Sequence, residues 1–298
     1  MKNIAIITGA SSGIGRSFLR LIAKERGVYN SLPFDEIWAV ARRADRLLEV
    51  TSSIGDDRII PVTADLTSPD DMDEIALRLQ DEDIRIGLLI NCAGMGFKGL
   101  AEDISVNDIE AELQLNCVAL GKLSRICLPY MIDKQPCFSL SEGPRMINIA
   151  SSAGFLPQPG FAGYAASKAY VISFSRALGV ELAPYNIAVT TVCPGPVKTE
   201  FQSKATHGAS SEFTGFRKLV AVDPDKLAEA AIKASRKGRR MLVYGFSQKA
   251  LHVASKVLPT SVILAIESKL MPKADASQRN DKITGITPLP ISSEEESV

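Results

Sequence analysis

Short apolar runs alternate with longer stretches of helical periodicity along most of the chain. Ile4–Thr8, Ile37–Val40, Ile59–Thr63, Leu88–Asn91, Met146–Ala150, Ile187–Cys193 and Met241–Tyr244 are apolar runs of strand length. Between them Ile14–Glu25, Arg43–Ile54, Ser68–Gln80, Asn107–Met131, Ala162–Leu182 and Pro224–Arg236 repeat their apolar positions with helical spacing. Ser68 followed by Pro69, Asp70 and Asp71 is a helix start, and Pro224 suits a first turn. Strands that are apolar on both faces and joined through helices run parallel and are covered on both sides. Right-handed crossovers then predict an α/β doubly wound, seven-stranded parallel sheet with helices on both faces.

Two stretches break the alternation. Residues 27–35 make a longer helix-to-strand connection. Residues 199–218 are polar, carry Gly208 and Gly215, and read as a loop with room for one short helix. The expected organisation is a catalytic domain over 1–245, a helical extension over 246–272, and a disordered Ser/Glu/Pro-rich tail over 273–298. In the extension, Leu251, Ala254, Val257 and Leu258 have helical spacing until Pro259 breaks the run. Its apolar residues suit a helical pair packed on its own domain or on a dimer partner, or else a lid over a lipid-like substrate or a membrane-surface helix.

Composition narrows the function. The 298 residues are 46% apolar with a formal net charge of zero, which excludes disorder for most of the chain and gives no reason to expect nucleic acid. No 18-residue apolar run predicts a transmembrane helix, and the first apolar run is too short for a signal-peptide core. Five cysteines, at 92, 117, 127, 137 and 193, form no CxxC pair and no zinc-like cluster. They read as free thiols in a reducing, cytoplasmic setting, and no metal is expected.

The first strand runs into Gly9, Ala10, Ser11, Ser12, Gly13, Ile14 and Gly15 and then opens a helix. Glycines at such a turn let backbone N–H groups approach a pyrophosphate, and the helix N-terminus adds partial positive charge. The context is the one that a dinucleotide turn of a Rossmann-type fold requires, with a plain strand-to-helix turn as the alternative reading. The GxxxGxG spacing departs from the more general GxGxxG.

Further motifs follow in order: Asn91-Cys92-Ala93-Gly94, Asn116, Ser151, YAASK over 164–168, and Pro194-Gly195. Together with TGASSGIG over 8–15, they make residues 1–245 resemble the short-chain dehydrogenase/reductase (SDR) family. Cys92 departs from the family's second asparagine. The resemblance implies a catalytic set of Asn116, Ser151, Tyr164 and Lys168, with Ser152 the rival to Ser151. It also implies cofactor contacts at Gly9, Ser11, Ser12, Gly13, Ile14, Gly15, Asp65, Leu66, Asn91, Ala93, Gly94, Tyr164, Lys168, Pro194, Gly195, Val197 and Thr199.

The chemistry fits those residue types. Tyr164 and Lys168 share one helix face. A nearby ammonium stabilises phenolate, so Lys168 is expected to lower the Tyr164 pKa and make it a general acid/base. The Ser151 hydroxyl can stabilise a substrate oxygen without competing as a base. Ala41 stands where NAD-binding relatives carry an acid, and Arg42 and Arg43 follow, so NADP(H) is the expected cofactor. The substrate is expected to be a small-molecule ketone, aldehyde or alcohol, apolar and steroid- or lipid-like. Phe201, Phe213 and Phe216 serve as a candidate lid, with Pro157 and Phe161 as a wall. An acyl-thioester reductase and a non-catalytic NADP-binding regulator remain alternatives, and a homodimer or homotetramer is expected.

Overall fold

The computed structural model describes residues 1–24, 33–81, 83–132, 143–201 and 221–270. Seven parallel strands form one sheet: β1 (Lys2–Thr8), β2 (Glu36–Ala41), β3 (Ile59–Thr63), β4 (Ile84–Asn91), β5 (Arg145–Ile149), β6 (Ala188–Pro194) and β7 (Met241–Tyr244). Their order is β3-β2-β1-β4-β5-β6-β7. The crossover direction reverses between β1 and β4, and the crevice beyond their carboxyl ends is where such sheets hold ligands.

Helices α1 (Gly13–Lys24), α2 (Ala44–Ile54), α3 (Pro69–Asp81), α4 (Val106–Leu113), α5 (Leu120–Met131), α6 (Ala162–Glu181) and α7 (Pro224–Arg236) cover the sheet. Alternate strand residues feed two cores. Ala5, Ile7, Ala39 and Ile90 meet Phe18 and Ile22 of α1, Leu47 of α2 and Leu227 and Ala231 of α7. Ile4, Ile6, Trp38 and Leu89 meet Ile75 of α3, Leu123 and Cys127 of α5 and Leu178 of α6. Each such buried side chain stabilises the fold by roughly 1.5–3 kcal/mol.

Two elements differ from the sequence reading. β4 begins at Ile84 because Ile84, Arg85 and Ile86 pair with Lys2, Asn3 and Ile4, although the interrupting Arg85 and Gly87 hide this strand in the apolar pattern. The single helix expected over 107–131 is split by a π-helical stretch, Gln114–Ala119, between α4 and α5. The connection at 27–35 lies outside the described residues up to 32, as do Phe213, Phe216, most of 199–218 and the tail at 273–298.

After β7 come α8 (Phe246–Val257) and α9 (Thr260–Leu270). The α8 helix leans on the sheet's carboxyl edge: a Cβ on Gly195 would meet the Gln248 side chain at 2.6 Å, and His252 lies 4.3 Å from Phe155 ring to ring. No residue of α8 is buried, and Phe246 is 90% exposed. No described helix is long and apolar enough to cross a membrane.

Candidate functional site

The turn after β1 needs its glycines for stated reasons. Gly9 and Gly13 have φ of +67° and +53°, a region open mainly to glycine. A Cβ on Gly15 would sit 2.2 Å from the Gly9 carbonyl oxygen. The start of α1 therefore folds back tightly on the end of β1, with Ser11 buried and Ser12 and Ile14 half-buried beside it. Thr8, which sequence reasoning passed over as a site residue, fastens this turn to the next strand. Its hydroxyl accepts from the backbone N–H groups of Cys92 and Ala93 at 2.9 and 3.0 Å. Thr199 arrives from beyond β6, where a Cβ on Gly13 would touch it at 3.0 Å. Val197, two residues earlier, is bridged to Val222.

At the end of β2, Ala41 is buried and three arginines fan outward. Arg42 pairs with Asp65 at 3.1 Å, and Arg43 pairs with Glu200 at 3.7 Å. Arg46, one turn along α2, also binds Glu200. The sequence reading missed both Arg46 and Glu200. Arg46 was legible as the residue one helical turn after Arg43, but nothing local could place Glu200 beside it. Asp65 ties Arg42 to its own turn, accepting also from the Thr67 N–H at 3.0 Å, and buried Leu66 follows it into the core.

The Asn91 side chain turns inward. It donates to Ser124 Oγ at 3.1 Å and to Asn148 Oδ1 at 2.9 Å, and Asn148 donates onward to Ser175. Its side chain thus belongs to a buried cross-strand network, while Ala93 and Gly94 form the surface of the crevice. Gly94 must be small, since a Cβ there would meet Asn116 Oδ1 at 3.0 Å and Lys168 Nζ at 3.3 Å.

Asn116, Ser151, Tyr164 and Lys168 converge around that glycine. Asn116 lies in the π-helical stretch, a distortion common at functional sites. It accepts from the Met95 N–H at 3.0 Å and donates to the Met95 carbonyl and to Ser167 Oγ. Ser151 lies near enough to the Tyr164 phenol to hold its pKa down. Its hydroxyl also accepts from Ala153 N–H and starts the short 3-10 turn Ser152–Phe155, which takes Ser152 away into the interior. Lys168 donates to the Ile149 carbonyl at 3.1 Å, with its Nζ 5.6 Å from the Tyr164 ring centre.

The electrostatics correct one expectation. Burial pushes the Tyr164 phenol up to about 12, against the lowering effect of Ser151 and with the charge of Glu112 adding to the rise. Burial likewise pulls the Lys168 ammonium down to about 8. Desolvation disfavours the charged form of each group, the anion of the phenol and the cation of the lysine. Tyr164 is protonated at neutral pH in this state.

The ring of Tyr164 is enclosed. Phe161 stacks on it at 4.3 Å and Phe201 tilts against it at 5.3 Å. Pro157 is exposed on the approach to this wall. Among the described residues no group of three or more His, Cys, Asp or Glu side chains could hold a metal ion.

A doubly wound sheet with a glycine turn after β1 and a Ser–Tyr–Lys cluster beyond β5 defines an α/β oxidoreductase. A family model described as short chain dehydrogenase matches residues 3–210. A short-chain dehydrogenase from Sphingobium yanoikuyae, solved in complex with NADPH, superposes with a TM-score of 0.67 at 28% identity, covering 94% of this chain and 100% of that one. The bulky-bulky ketone specific alcohol dehydrogenase from Comamonas testosteroni gives 0.64 at 26% identity, covering 94% and 98%. A 3-ketoacyl-(acyl-carrier-protein) reductase from Brucella melitensis, solved with NADH, gives 0.66 at 27% identity, covering 80% and 93%. This chain belongs to the short chain dehydrogenase family.

Proposed function

We propose that the protein is an NADP(H)-dependent carbonyl reductase or alcohol dehydrogenase acting on a bulky apolar substrate, with Tyr164 as general acid/base. The observation that carries this reading is the convergence of Ser151 on the Tyr164 phenol, with Lys168 anchored beneath by Ile149.

The residues present fit a dinucleotide. Gly9, Gly13 and Gly15 let the start of the first helix fold back tightly on the end of β1, which leaves backbone N–H groups free to approach a pyrophosphate. Ser11, Ser12 and Ile14 line the phosphate turn. Asp65 and Leu66 would flank the adenine. Ala93, Gly94, Pro194, Gly195, Val197 and Thr199 would border the nicotinamide half. Asn91 supports that half through its backbone, its side chain being engaged elsewhere. Arg42 and Arg43, joined by Arg46, suit the 2′-phosphate of NADP, as the NADPH-bound Sphingobium relative also suggests. The cofactor supplies or accepts the hydride.

The chain's own residues handle the proton. Ser151 donates a hydrogen bond to the substrate oxygen. Protonated Tyr164 delivers its proton to that oxygen as negative charge develops, a role worth typically 10²–10⁴-fold. Lys168 then favours the phenolate and holds the nicotinamide ribose, while Asn116 keeps the Met95 backbone and Ser167 in place near the ammonium. Oxidation of an alcohol runs the same path backwards.

The apolar wall of Phe161 and Phe201 around the phenol supports a bulky substrate, and the Comamonas relative is named for bulky ketones. An acyl-thioester reductase is the second reading, favoured by the Brucella relative. The intact cluster opposes a non-catalytic regulator. Residues 1–245 constitute the catalytic domain in this reading, with α8 and α9 as a subunit-facing or substrate-facing extension of a cytoplasmic homo-oligomer. The free thiols of Cys92, Cys117, Cys127 and Cys193 agree with a reducing setting.

The test is NADPH consumption with a panel of bulky aryl ketones, steroid ketones and 3-oxoacyl thioesters, run on the wild type, Tyr164→Phe and Lys168→Ala. Tyr164→Phe should lose at least about 10²-fold in kcat while still binding NADPH. Lys168→Ala should lose both turnover and NADPH affinity. More than a tenth of wild-type kcat in Tyr164→Phe would refute the general-acid assignment.

A further inference from the structure

Glu112 is a buried carboxylate that the chemistry above leaves unused. It sits in the last turn of α4, four residues before Asn116, and is only 2% exposed. Its Oε2 accepts from the Phe97 backbone N–H at 2.9 Å. Its Oε1 is buried without a hydrogen-bond partner, the only carboxylate oxygen among the described residues of which this is true. A buried polar atom left unpaired is costly, so such an atom calls for a reason.

Both oxygens act on segments that hold Tyr164. Phe97 follows Gly96, and a Cβ on Gly96 would fall 2.4 Å from Tyr164 Cδ2, so this backbone lies directly on the phenol ring. Oε1 faces Gly163, the residue before Tyr164, where a Cβ would come within 2.9 Å of it. One carboxyl group therefore spans the loop after β4 and the first turn of α6. A side chain on Gly163 would collide with it.

We propose that Glu112 is a positioning residue for Tyr164: its carboxyl group sets the loop at Gly96 and Phe97 and the first turn at Gly163 around the phenol. A negative charge held there also opposes ionisation of the phenol. The proposal rests on Tyr164 being the proton donor.

The electrostatics of the neighbourhood agree. Burial raises the Glu112 carboxyl above its usual range, opposed by the Phe97 N–H and by the Lys168 charge. In turn its negative charge raises both Tyr164 and Lys168. The groups facing it are Lys168 and Tyr164 on α6 and Cys117 on the π-helical stretch, while Cys92 and Cys193 face Lys168. Burial lifts the Cys92 and Cys193 thiols to about 12 and raises Cys117 as well. These thiols stay neutral while Glu112 and Lys168 change charge. Below Tyr164 in the titration, Glu112 is thus the anion that opposes phenolate.

The experiment compares wild type, Glu112→Gln and Glu112→Leu. Reduction of a bulky aryl ketone with NADPH is followed from pH 7 to 12, across the range in which the Tyr164 phenol ionises. Tyrosinate absorbance near 295 nm is titrated in parallel, with a Tyr164→Phe counterpart of each variant subtracted. Glu112→Gln keeps an acceptor for Phe97 but no charge. Its basic limb in kcat and its Tyr164 absorbance midpoint should both move to lower pH. Glu112→Leu should lower kcat and raise KM for the ketone at least fivefold, and Glu112→Gln should recover most of that KM.

A Glu112→Gln profile superimposed on wild type overturns the electrostatic half. A Glu112→Leu enzyme with wild-type KM and kcat overturns the positioning half. If Tyr164 proves not to be the proton donor, Tyr164→Phe stays active, and the absorbance titration still judges Glu112 by itself. If Glu112→Leu fails to fold, the Glu112→Gln comparison decides.

Discussion

The Gly96 α-carbon lies against the face of Tyr164 so closely that a methyl group there would sit 2.4 Å from ring carbon Cδ2 and 3.1 Å from Phe201 Cζ. The same ring is stacked by Phe161 at 4.3 Å and met by Phe201 at 5.3 Å. Gly96→Ala must therefore shift the phenol or the loop that carries the methyl group. Overfilled contacts of this kind cost about 1–3 kcal/mol of stability. A displacement near 1 Å can cost about 10²-fold in rate. The expected variant is folded, binds NADPH with near wild-type affinity, and has lost most of kcat. Circular dichroism, cofactor fluorescence titration and ketone kinetics on one preparation check this; wild-type kcat would contradict the close approach.

Glu200 holds Arg43 and Arg46 in the ground that a 2′-phosphate would enter. Removing its charge frees both guanidiniums, so Glu200→Gln should tighten NADPH and leave NADH nearly unchanged. Arg42→Ala should weaken NADPH by roughly 1.5–3 kcal/mol, the scale of a hydrogen bond to a charged group, and Arg46→Ala should weaken it as well. Each should spare NADH. The checking measurement is Kd for both dinucleotides at low and moderate salt, because exposed charge pairs are screened. Equal losses for the two cofactors would place the arginines outside the phosphate contact.

Burial raises the Glu112 carboxyl above 4.5 in the folded state, so folding favours its protonated form. The associated stability is present below the unfolded value and is lost as pH rises through the folded one. Relative to wild type, Glu112→Gln should therefore gain Tm steadily as pH is raised from 4.5. Differential scanning calorimetry of the two proteins across pH 4 to 8 tests the sign. A gap that shrinks with rising pH would show the carboxylate to be stabilised by its surroundings.

The α8 helix touches the sheet's carboxyl edge through Gln248 and His252 but leaves Phe246, Val253 and Val257 largely exposed. Uncovered apolar surface of this kind is an association surface or a liability. Truncation after Tyr244 should change the oligomeric state or solubility, or raise KM for bulky ketones, while NADPH affinity stays close to wild type. Light scattering with cofactor titration measures both. A folded truncated protein that lost NADPH binding but kept its mass and substrate profile would refute the placement.

What could be read from the sequence was whatever is periodic or local. Strands such as Ile59–Thr63 and Met241–Tyr244 appear with their expected bounds because fully apolar runs bounded by polar turns have one reading. The glycine turn and the YAASK stretch were visible because their residues lie within a few positions of one another. The π-helical stretch was invisible, since one extra residue in a turn leaves the apolar pattern nearly intact. Glu112 reads as one more acid on a helix that also carries Asp108 and Glu110, and only the fold shows that it faces inward. The engagement of Lys168 by the Ile149 carbonyl, and of the Asn91 amide by Asn148, depends on strands that meet only in the assembled sheet.

Asn91 and Asn148 stand side by side on β4 and β5, and their amides are completed by Ser124 from α5 and Ser175 from α6. Neither asparagine amide completes its bonds within its own strand. An assembly that docks either crossover helix out of register strands an amide or a hydroxyl in oil, and the loss falls on every member at once. The quartet therefore acts as a combination lock on how the crossover helices dock. The apolar layers can collapse in several ways, but only the arrangement that also brings Tyr164 and Lys168 beneath the crevice closes all three bonds.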